Sequence, residues 1–291
     1  MKRGIWALAA VAVAALAVTV AGCGGGGSDN PTEVAVKVTE NGKGDYSVAV
    51  PGEIEGGAVE LTLDNSANKV PHMAQIVQIG EGHTYAEAKP ILDTERPEKI
   101  PEWIRGYGGV NTVNPGETGT ATVKLDDGHY VVRDEADNGA KEVPATEFDV
   151  KETNDADLPD TDASVTAATT GSQDPAHEYE WKTDGLKAGN NTITFDSQGK
   201  EALHIIAAAP IKGNATIDDV VKDLQSNGPP KSIDFEHFQQ TAVLDGGKKE
   251  ATQLNLQAGR YAFICVLPDR DEPTKPHYQQ GLLKEVTVPS S

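Results

Sequence analysis

The amino-acid sequence predicts an all-β chain made of two tandem Greek-key β-sandwich domains, each with one short inserted helix. Three observations lead to this prediction: a length sufficient for two domains, many short alternating apolar runs between turn residues, and an internal repeat. The chain has 291 residues with 30 glycines, 17 prolines and 5% aromatic residues. This composition favours strands and turns over long helices.

The first 22 residues have the features of a secretory signal. Two basic residues precede an apolar run from Ile5 to Val20, and small residues follow it. The tetrad Val20-Ala21-Gly22-Cys23 resembles the lipobox of bacterial lipoproteins, in which the cysteine carries lipid and becomes the first mature residue. We therefore expect residues 1–22 to be removed and Cys23 to anchor the protein at the extracytoplasmic face of the cell membrane. A transmembrane anchor is the alternative, but the run is shorter than the ~20 residues of a span.

Two low-complexity segments divide the rest of the chain. Residues 23–32 are rich in glycine and are expected to form a flexible tether. Residues 153–175 are acidic and poor in apolar side chains, which predicts a flexible interdomain linker. The two remaining blocks, 33–152 and 176–291, are each long enough for one domain with its own core.

The two blocks resemble copies of one unit. A shift of 132 residues places Leu61–Asp64 on Ile193–Asp196 and His72 on His204. A shift of 131 residues aligns the far ends of the blocks, so the whole register contains one single-residue slip. So long a register indicates a tandem duplication.

Apolar periodicity predicts the elements of each block. Strands are indicated where apolar residues alternate, as at Ile193 and Phe195, because one face of such a strand is buried. One short helix is expected in each block. In the second block it covers Ile217–Leu224, after Thr216-x-x-Asp219, a start that resembles a capping box.

The net charge of -20 limits the classes of partner. So acidic a chain is not expected to bind nucleic acid or to bind anionic lipid electrostatically. The negative charge could attract a basic protein partner or could simply keep the protein soluble, and we favour the second explanation. The sequence contains no phosphate-binding loop, nucleophile elbow or metal-hydrolase helix motif, and no His-x-His pair. We therefore expect the protein to have no substrate chemistry of its own and not to be an enzyme.

The second cysteine, Cys265, lies near the end of the chain. If Cys23 carries lipid, Cys265 has no partner for an intramolecular disulfide, although the expected compartment is oxidising. An unpaired thiol there is either buried and inert or bonded to a metal. The predicted strand Arg260–Val266 places Tyr261, Phe263 and Cys265 on one side.

The second block contains an upstream histidine, the motif Tyr261-x-Phe263-x-Cys265, a Pro-Asp loop, Pro276-His277 and a Gly-Leu step. Together these features resemble the cupredoxin family of blue copper proteins, such as plastocyanin and azurin. The resemblance implies that His204, Cys265 and His277 are the equatorial ligands of one type 1 copper in the second domain. A thiolate with two imidazoles suits Cu(I) and is acceptable to Cu(II). The resemblance also implies single-electron transfer with an unknown redox protein partner.

The ligand region departs from the family pattern in two ways. Eleven residues separate Cys265 from His277, where the family usually has only a few. Leu282 stands where the family has an axial methionine, and the two methionines of the chain, Met1 and Met73, lie outside this block. A leucine side chain cannot ligate copper, so the resemblance implies a three-coordinate copper with a raised reduction potential.

The first block is expected to lack this copper site. It keeps His72, but Asp134 aligns with Cys265, and the segment that would supply the second histidine is shorter. Two alternatives to electron transfer remain open for the whole protein. One is a metal-free cupredoxin-like binding or structural module of the cell envelope, and the other is copper sequestration.

Overall fold

A computed structural model describes residues 30–94, 99–136, 138–200, 202–226, 228, 230–270 and 272–290. The predicted signal peptide, the lipidation residue Cys23 and nearly all of the predicted tether lie outside these residues. No helix within the described ranges is long and apolar enough to span a membrane.

The first domain is a sandwich of two β-sheets with one helix. Its elements are β1 (Thr32–Gly42), β2 (Asp45–Ala49), β3 (Glu53–Asp64), β4 (His72–Ile79), α1 (Tyr85–Leu92), β5 (Ile104–Val113), β6 (Thr118–Leu125), β7 (Gly128–Arg133) and β8 (Ala145–Thr153). One sheet has the strand order β2-β1-β3-β6 and the other the order β8-β7-β4-β5. Apolar side chains of both sheets form the core, including Leu61 and Val123 from one sheet and Ile76 and Val132 from the other.

Strand β3 takes part in both sheets of the first domain because it bends at two glycines. Its first residues pair with β8, and the residues from Gly57 onward pair with β6. Gly57 has a φ of +84°, and a Cβ atom there would lie 2.3 Å from Oδ1 of Asn154. No residue with a side chain fits this close approach, so the bend depends on glycine.

The second domain repeats this two-sheet architecture. Its elements are β9 (Ala163–Thr169), β10 (Tyr179–Asp184), β11 (Gly189–Ser197), β12 (Leu203–His204), β13 (Ala207–Pro210), α2 (Ile217–Leu224), β14 (Gln239–Gln240), β15 (Leu244–Asp245), β16 (Lys248–Leu256), β17 (Gly259–Ile264) and β18 (Leu283–Val288). One sheet has the order β10-β9-β11-β16, and the other has the order β14-β13-β17-β18. Trp181 and Phe195 from the first of these sheets meet Phe263 and Val286 from the second in the core.

Each domain carries one two-turn helix. The side chain of Thr84 accepts a hydrogen bond from the Glu87 amide at the start of α1, and Thr216 accepts one from the Asp219 amide at the start of α2. Both starts are capping boxes, and α2 has the bounds expected from the sequence. The predicted fold class, all-β with two β-sandwich domains and one short helix in each, is confirmed.

The prediction that residues 153–175 form an interdomain linker is wrong for the second half of this segment. Residues Ala163–Thr169 form β9, which pairs antiparallel with β10 and parallel with β11. Val165 and Ala167 in this strand are fully buried. The small side chains of the strand gave little hydrophobic signal within acidic surroundings, so composition hid the alternation. The second domain therefore begins at β9 rather than at residue 176.

Hydrogen-bonded strands join the two domains, whose packing the sequence left open. β16 of the second domain pairs with β6 of the first, and β15 pairs with β5. Arg270 donates two hydrogen bonds to the Asp245 carboxylate of its own domain, and it also donates to the carbonyl oxygens of Ile100 and Pro101 in the first domain. The sheet that begins in one domain therefore continues in the other.

A buried carboxyl group lies at this junction. Glu250 on β16 is 0% exposed, and its Oε2 accepts a hydrogen bond of 2.8 Å from the Gly109 amide on β5. Its Oε1 has no hydrogen-bond partner among the described residues. Burial raises the pKa of Glu250 to about 8, since the Gly109 amide only partly offsets the loss of water. The protein therefore folds with Glu250 protonated at neutral pH.

We predict that Glu250 makes the protein less stable as pH rises from 4.5 to 8. Over this range the unfolded chain releases the proton and the folded chain keeps it, so the free energy of unfolding falls by up to about 1.4 kcal/mol per pH unit. Denaturant unfolding of the wild type and of Glu250→Gln between pH 4 and 9 measures this slope. The free energy of unfolding of the wild type minus that of Glu250→Gln should fall as pH rises. For Glu55→Gln, at an exposed position on β3, the same difference should not change with pH. A flat difference for Glu250→Gln would show that this carboxyl group ionises normally.

Candidate metal centre

Strand β17 positions Cys265 in the core of the second domain. Tyr261, Phe263 and Cys265 pack between the two sheets, whereas Ala262 and Ile264 pack in the separate apolar cluster that includes α2. This alternation matches the two faces expected from the sequence. Cys265 directly follows the last residue of β17 and is 0% exposed.

The long loop after Cys265 brings His277 back to it. The backbone of Pro268 pairs with that of Pro276, and the His277 amide donates a 2.8 Å hydrogen bond to the carbonyl oxygen of Leu267. A 3₁₀ turn, His277–Gln279, follows. The two ends of the intervening loop are therefore paired with each other, so its extra length does not separate the two predicted ligands.

All three predicted ligands come together and are fully buried. The Nδ1 atom of His277 lies 3.4 Å from the Cys265 Sγ, and the Nδ1 atom of His204, on β12, lies 3.8 Å from it. The three ligand atoms lie within 4.8 Å of one another. Metal–nitrogen and metal–sulfur bonds of about 2.0 and 2.3 Å in a trigonal centre would separate nitrogen from sulfur by about 3.7 Å. The His204-Cys265-His277 cluster fits a type 1 copper site.

The two imidazoles make the Cys265 thiol acidic. Burial raises the pKa of Cys265, but hydrogen bonds and charge from His204 and His277 outweigh burial and lower the pKa to about 6. The thiolate is the form of cysteine that binds metals. Burial lowers the pKa of His277, but its hydrogen bonds with Asp269 and Cys265 raise that pKa to about 9. Metal binding at this cluster would therefore release a proton from His277 at neutral pH.

The outer nitrogens of both imidazoles are fixed by hydrogen bonds. His277 Nε2 lies 3.0 Å from Asp269 Oδ1, and His204 Nε2 lies 2.9 Å from the carbonyl oxygen of Gln198. A proton on each Nε2 leaves each Nδ1 lone pair free for a metal. Burial raises the pKa of Asp269, but its hydrogen bonds with His277 and Tyr179 hold that pKa below its usual range. Asp269 therefore keeps its negative charge. The sequence placed it in the ligand loop without giving it a role.

Tyr179 on β10 contributes to the site without any signal in the sequence. Its ring centroid lies 4.9 Å from that of His277 and 5.2 Å from that of His204, and its hydroxyl donates a 3.0 Å hydrogen bond to Asp269. Gly281 permits this packing. It has a φ of +113°, and a Cβ atom there would lie 2.0 Å from the Tyr179 carbonyl oxygen.

Leu282 lies in the same core cluster as Cys265 and is 0% exposed. Its backbone is bonded to two of the predicted ligands: its amide donates to the His277 carbonyl oxygen, and its own carbonyl oxygen accepts from the Cys265 amide. The leucine side chain has no donor atom for a metal. Through these two hydrogen bonds, the backbone of Leu282 holds the cysteine end and the histidine end of the loop close together.

The corresponding place in the first domain contains a hydrogen-bonded group instead. The Nδ1 atom of His72 lies 2.6 Å from Asp134 Oδ2, and Asn138 Nδ2 donates to the same oxygen at 3.0 Å. The other carboxylate oxygen of Asp134 accepts a hydrogen bond from the Met73 amide. The His72 nitrogen that would face a metal is therefore occupied by a carboxylate. This arrangement supports the hypothesis that the first domain holds no type 1 copper.

No protein-family model and no curated protein matches the sequence. Among solved structures, dithionite-reduced auracyanin from Roseiflexus castenholzii is 20% identical over 43% of this chain and 99% of its own, with a TM-score of 0.27. A multicopper oxidase is 14% identical over 88% of this chain and 87% of its own, with a TM-score of 0.22. The copper-containing nitrite reductase NirK from Thermus scotoductus is 14% identical over 89% and 61% of the two chains, with a TM-score of 0.21.

The two β-sandwich domains and the buried His204-Cys265-His277 cluster are the features that the resemblance to cupredoxins led us to expect. One expectation from the sequence is corrected. We expected a protein that is not an enzyme, but the similar structures include a multicopper oxidase, a nitrite reductase and a laccase from Botrytis aclada, which are enzymes by name. The lack of familiar catalytic motifs is therefore no ground for excluding catalysis. The low similarity assigns none of these activities to this chain.

We predict that Asp269→Asn weakens copper binding and raises the reduction potential. The variant removes a negative charge and a strong acceptor from His277, so the imidazole becomes a poorer ligand for Cu(II), and copper affinity should fall by roughly 10- to 100-fold. Copper titration and redox titration measure the two effects. Asp149→Asn is the matched control, because Asp149 pairs with His129 in the first domain, and it should change neither value. An unchanged potential in Asp269→Asn would show that Asp269 has no influence on the metal.

Proposed function

We propose that this protein is an extracytoplasmic single-electron carrier whose one type 1 copper is held by His204, Cys265 and His277. The observation that carries the proposal is the convergence of two Nδ1 atoms on a buried Cys265 Sγ at 3.4 and 3.8 Å. When bound, copper supplies the one-electron couple between Cu(II) and Cu(I). The residues of the chain would fix the position of the copper, set the charges around it and keep water away from it.

The hydrogen bonds around the cluster support electron transfer. Both imidazoles are held at Nε2, and Cys265 and His277 are held through the backbone of Leu282. Ligands fixed in this way move little when copper changes oxidation state, so each electron transfer requires little rearrangement. A soft thiolate and two imidazoles together are acceptable to both oxidation states.

We also propose that the carrier is tethered to the outer face of a cell membrane through lipid on Cys23. The lipobox-like tetrad and the preceding apolar run support this proposal. A glycine-rich tether would hold the folded domains away from the bilayer, within reach of an unknown redox protein. Metabolic labelling with a fatty acid, in wild type and in Cys23→Ser, tests the anchor: the label should be lost in the variant.

We predict that copper-loaded protein binds one copper per chain and shows an intense visible thiolate-to-copper band. In Cys265→Ser the band should vanish, and the copper content should fall close to zero because the first domain offers no alternative thiolate. Absorption spectroscopy and metal analysis measure both quantities. His129→Gln, on β7 of the first domain and outside the cluster, is the control and should keep the full band.

The same experiment separates the competing functions. A colourless protein that takes up no copper would support the metal-free module. Tightly held copper without a reversible redox wave would support sequestration. Tightly held copper in Cys265→Ser would place a metal site in the first domain, against our expectation.

We predict that Leu282→Met lowers the reduction potential. A thioether sulfur at the axial side would donate to copper and stabilise Cu(II), whereas leucine donates nothing. Redox titration of the visible band measures the change. Leu254→Met is the matched control, since Leu254 is equally buried in the same core cluster but lies on β16, and its potential should match the wild type. An unchanged potential in Leu282→Met would show that Leu282 is not the axial neighbour of the metal.

A further inference from the structure

A cavity of about 250 Å³ lies between the two domains beside the predicted copper ligands. Apolar side chains from both domains form most of its wall, including Val77, Leu92 and Ile104 from the first and Leu203 and Leu267 from the second. Leu92 and Leu267 are only half-buried, so the cavity reaches the surface at these residues. Pockets between domains with apolar walls and a few polar groups are common ligand sites.

Two wall residues are bonded directly to the metal ligands. The carbonyl oxygen of Leu203 lies 3.7 Å from the Cys265 Sγ, and Leu203 precedes His204 in β12. The carbonyl oxygen of Leu267 accepts the hydrogen bond from the His277 amide. A molecule in the cavity would therefore contact residues that also hold all three ligands.

The charged groups of the wall are already paired. The Arg270 guanidinium donates to Asp245 and to two backbone carbonyl oxygens, and Glu135 accepts from Arg133. Among the described residues of the wall, an ionic ligand would thus find no free countercharge, and its desolvation would be uncompensated. The cavity is suited to an uncharged molecule.

One side-chain amide of the wall is available to a ligand. The Gln75 amide is engaged with the backbone of Val243, Ile76 and Gly108. By contrast, the side-chain amide of Gln240 forms no hydrogen bond with the other described residues. Gln240 lies on the short strand β14 and is half-buried, so its amide can bond a hydroxyl or carbonyl group of a ligand.

We propose that this cavity binds a small uncharged molecule with a single ring and one hydrogen-bonding group. An apolar cavity of about 150 Å³ is known to hold benzene, and drug-sized ligands need roughly 300 Å³ or more. The volume of about 250 Å³ therefore fits one substituted ring. The ring would pack against the leucines and isoleucine, and its polar group would bond Gln240. Binding goes beyond the proposed electron transfer and does not require copper.

The test uses the full chain without copper and the redox-inert probe 4-fluorobenzyl alcohol, followed by fluorine NMR. Saturable binding at one site is expected. Leu92→Trp should weaken binding at least tenfold, because the larger side chain fills the cavity. Leu224→Trp is the matched control, since Leu224 ends α2 as Leu92 ends α1, and it should bind like the wild type.

A second pair of measurements tests the role of Gln240. Gln240→Leu should weaken binding of 4-fluorobenzyl alcohol by roughly three- to tenfold, the contribution of one hydrogen bond, and should leave fluorobenzene binding unchanged. If Leu92→Trp fails to fold, as judged by thermal unfolding, Ile100→Phe fills the same cavity from the other side.

Two results would overturn the proposal: no saturable binding to the wild type, or equal binding to wild type and to a folded cavity-filling variant. Both results are measured on protein without copper. A failure of the copper site would instead appear as a missing visible band in protein that still binds the probe, so the two proposals fail separately.

Discussion

A thiol and two imidazoles that are removed from water must be satisfied by one another, by other hydrogen bonds or by a metal, and the second domain is arranged around this requirement. Strand β17 ends at Cys265, the short strand β12 places His204 opposite it, and a folded loop returns His277. Asp269 and the Gln198 carbonyl oxygen satisfy the outer nitrogens. What remains is one shared space, bounded by two nitrogens and a sulfur, that suits a copper ion.

The duplicated first domain surrounds its buried histidine with different chemistry. The Nδ1 atom of His72 is hydrogen-bonded to the Asp134 carboxylate, and the amide side chain of Asn138 donates to the same carboxylate. One substitution on the equivalent strand, aspartate for cysteine, exchanges a soft metal ligand for a hydrogen-bond acceptor. The same end of the sandwich therefore contains a hydrogen-bonded group in the first domain and a set of candidate metal ligands in the second.

The sequence was sufficient for features that depend on local pattern or on covalent spacing. The alternation around Cys265 and the capped helix α2 follow from residues near one another in the chain, and the three candidate ligands were implied by the resemblance to cupredoxins. Tyr179 and the charged role of Asp269 could not be predicted, because each depends on a contact between distant parts of the fold. The strand β9 was missed because small side chains carry little hydrophobic signal, although pairing with two neighbours buries them.

The junction between the domains was also beyond prediction, since nothing in a sequence states which sheet edges meet. The pairing of β6 with β16 gives the second domain a hydrogen-bonded neighbour in the first domain. In the first domain, a hydrogen-bonded group of His72, Asp134 and Asn138 lies where the second domain has its ligand cluster. The second domain holds His204, Cys265 and His277 in place through its own hydrogen bonds, so the protein chain itself sets the geometry of the cluster.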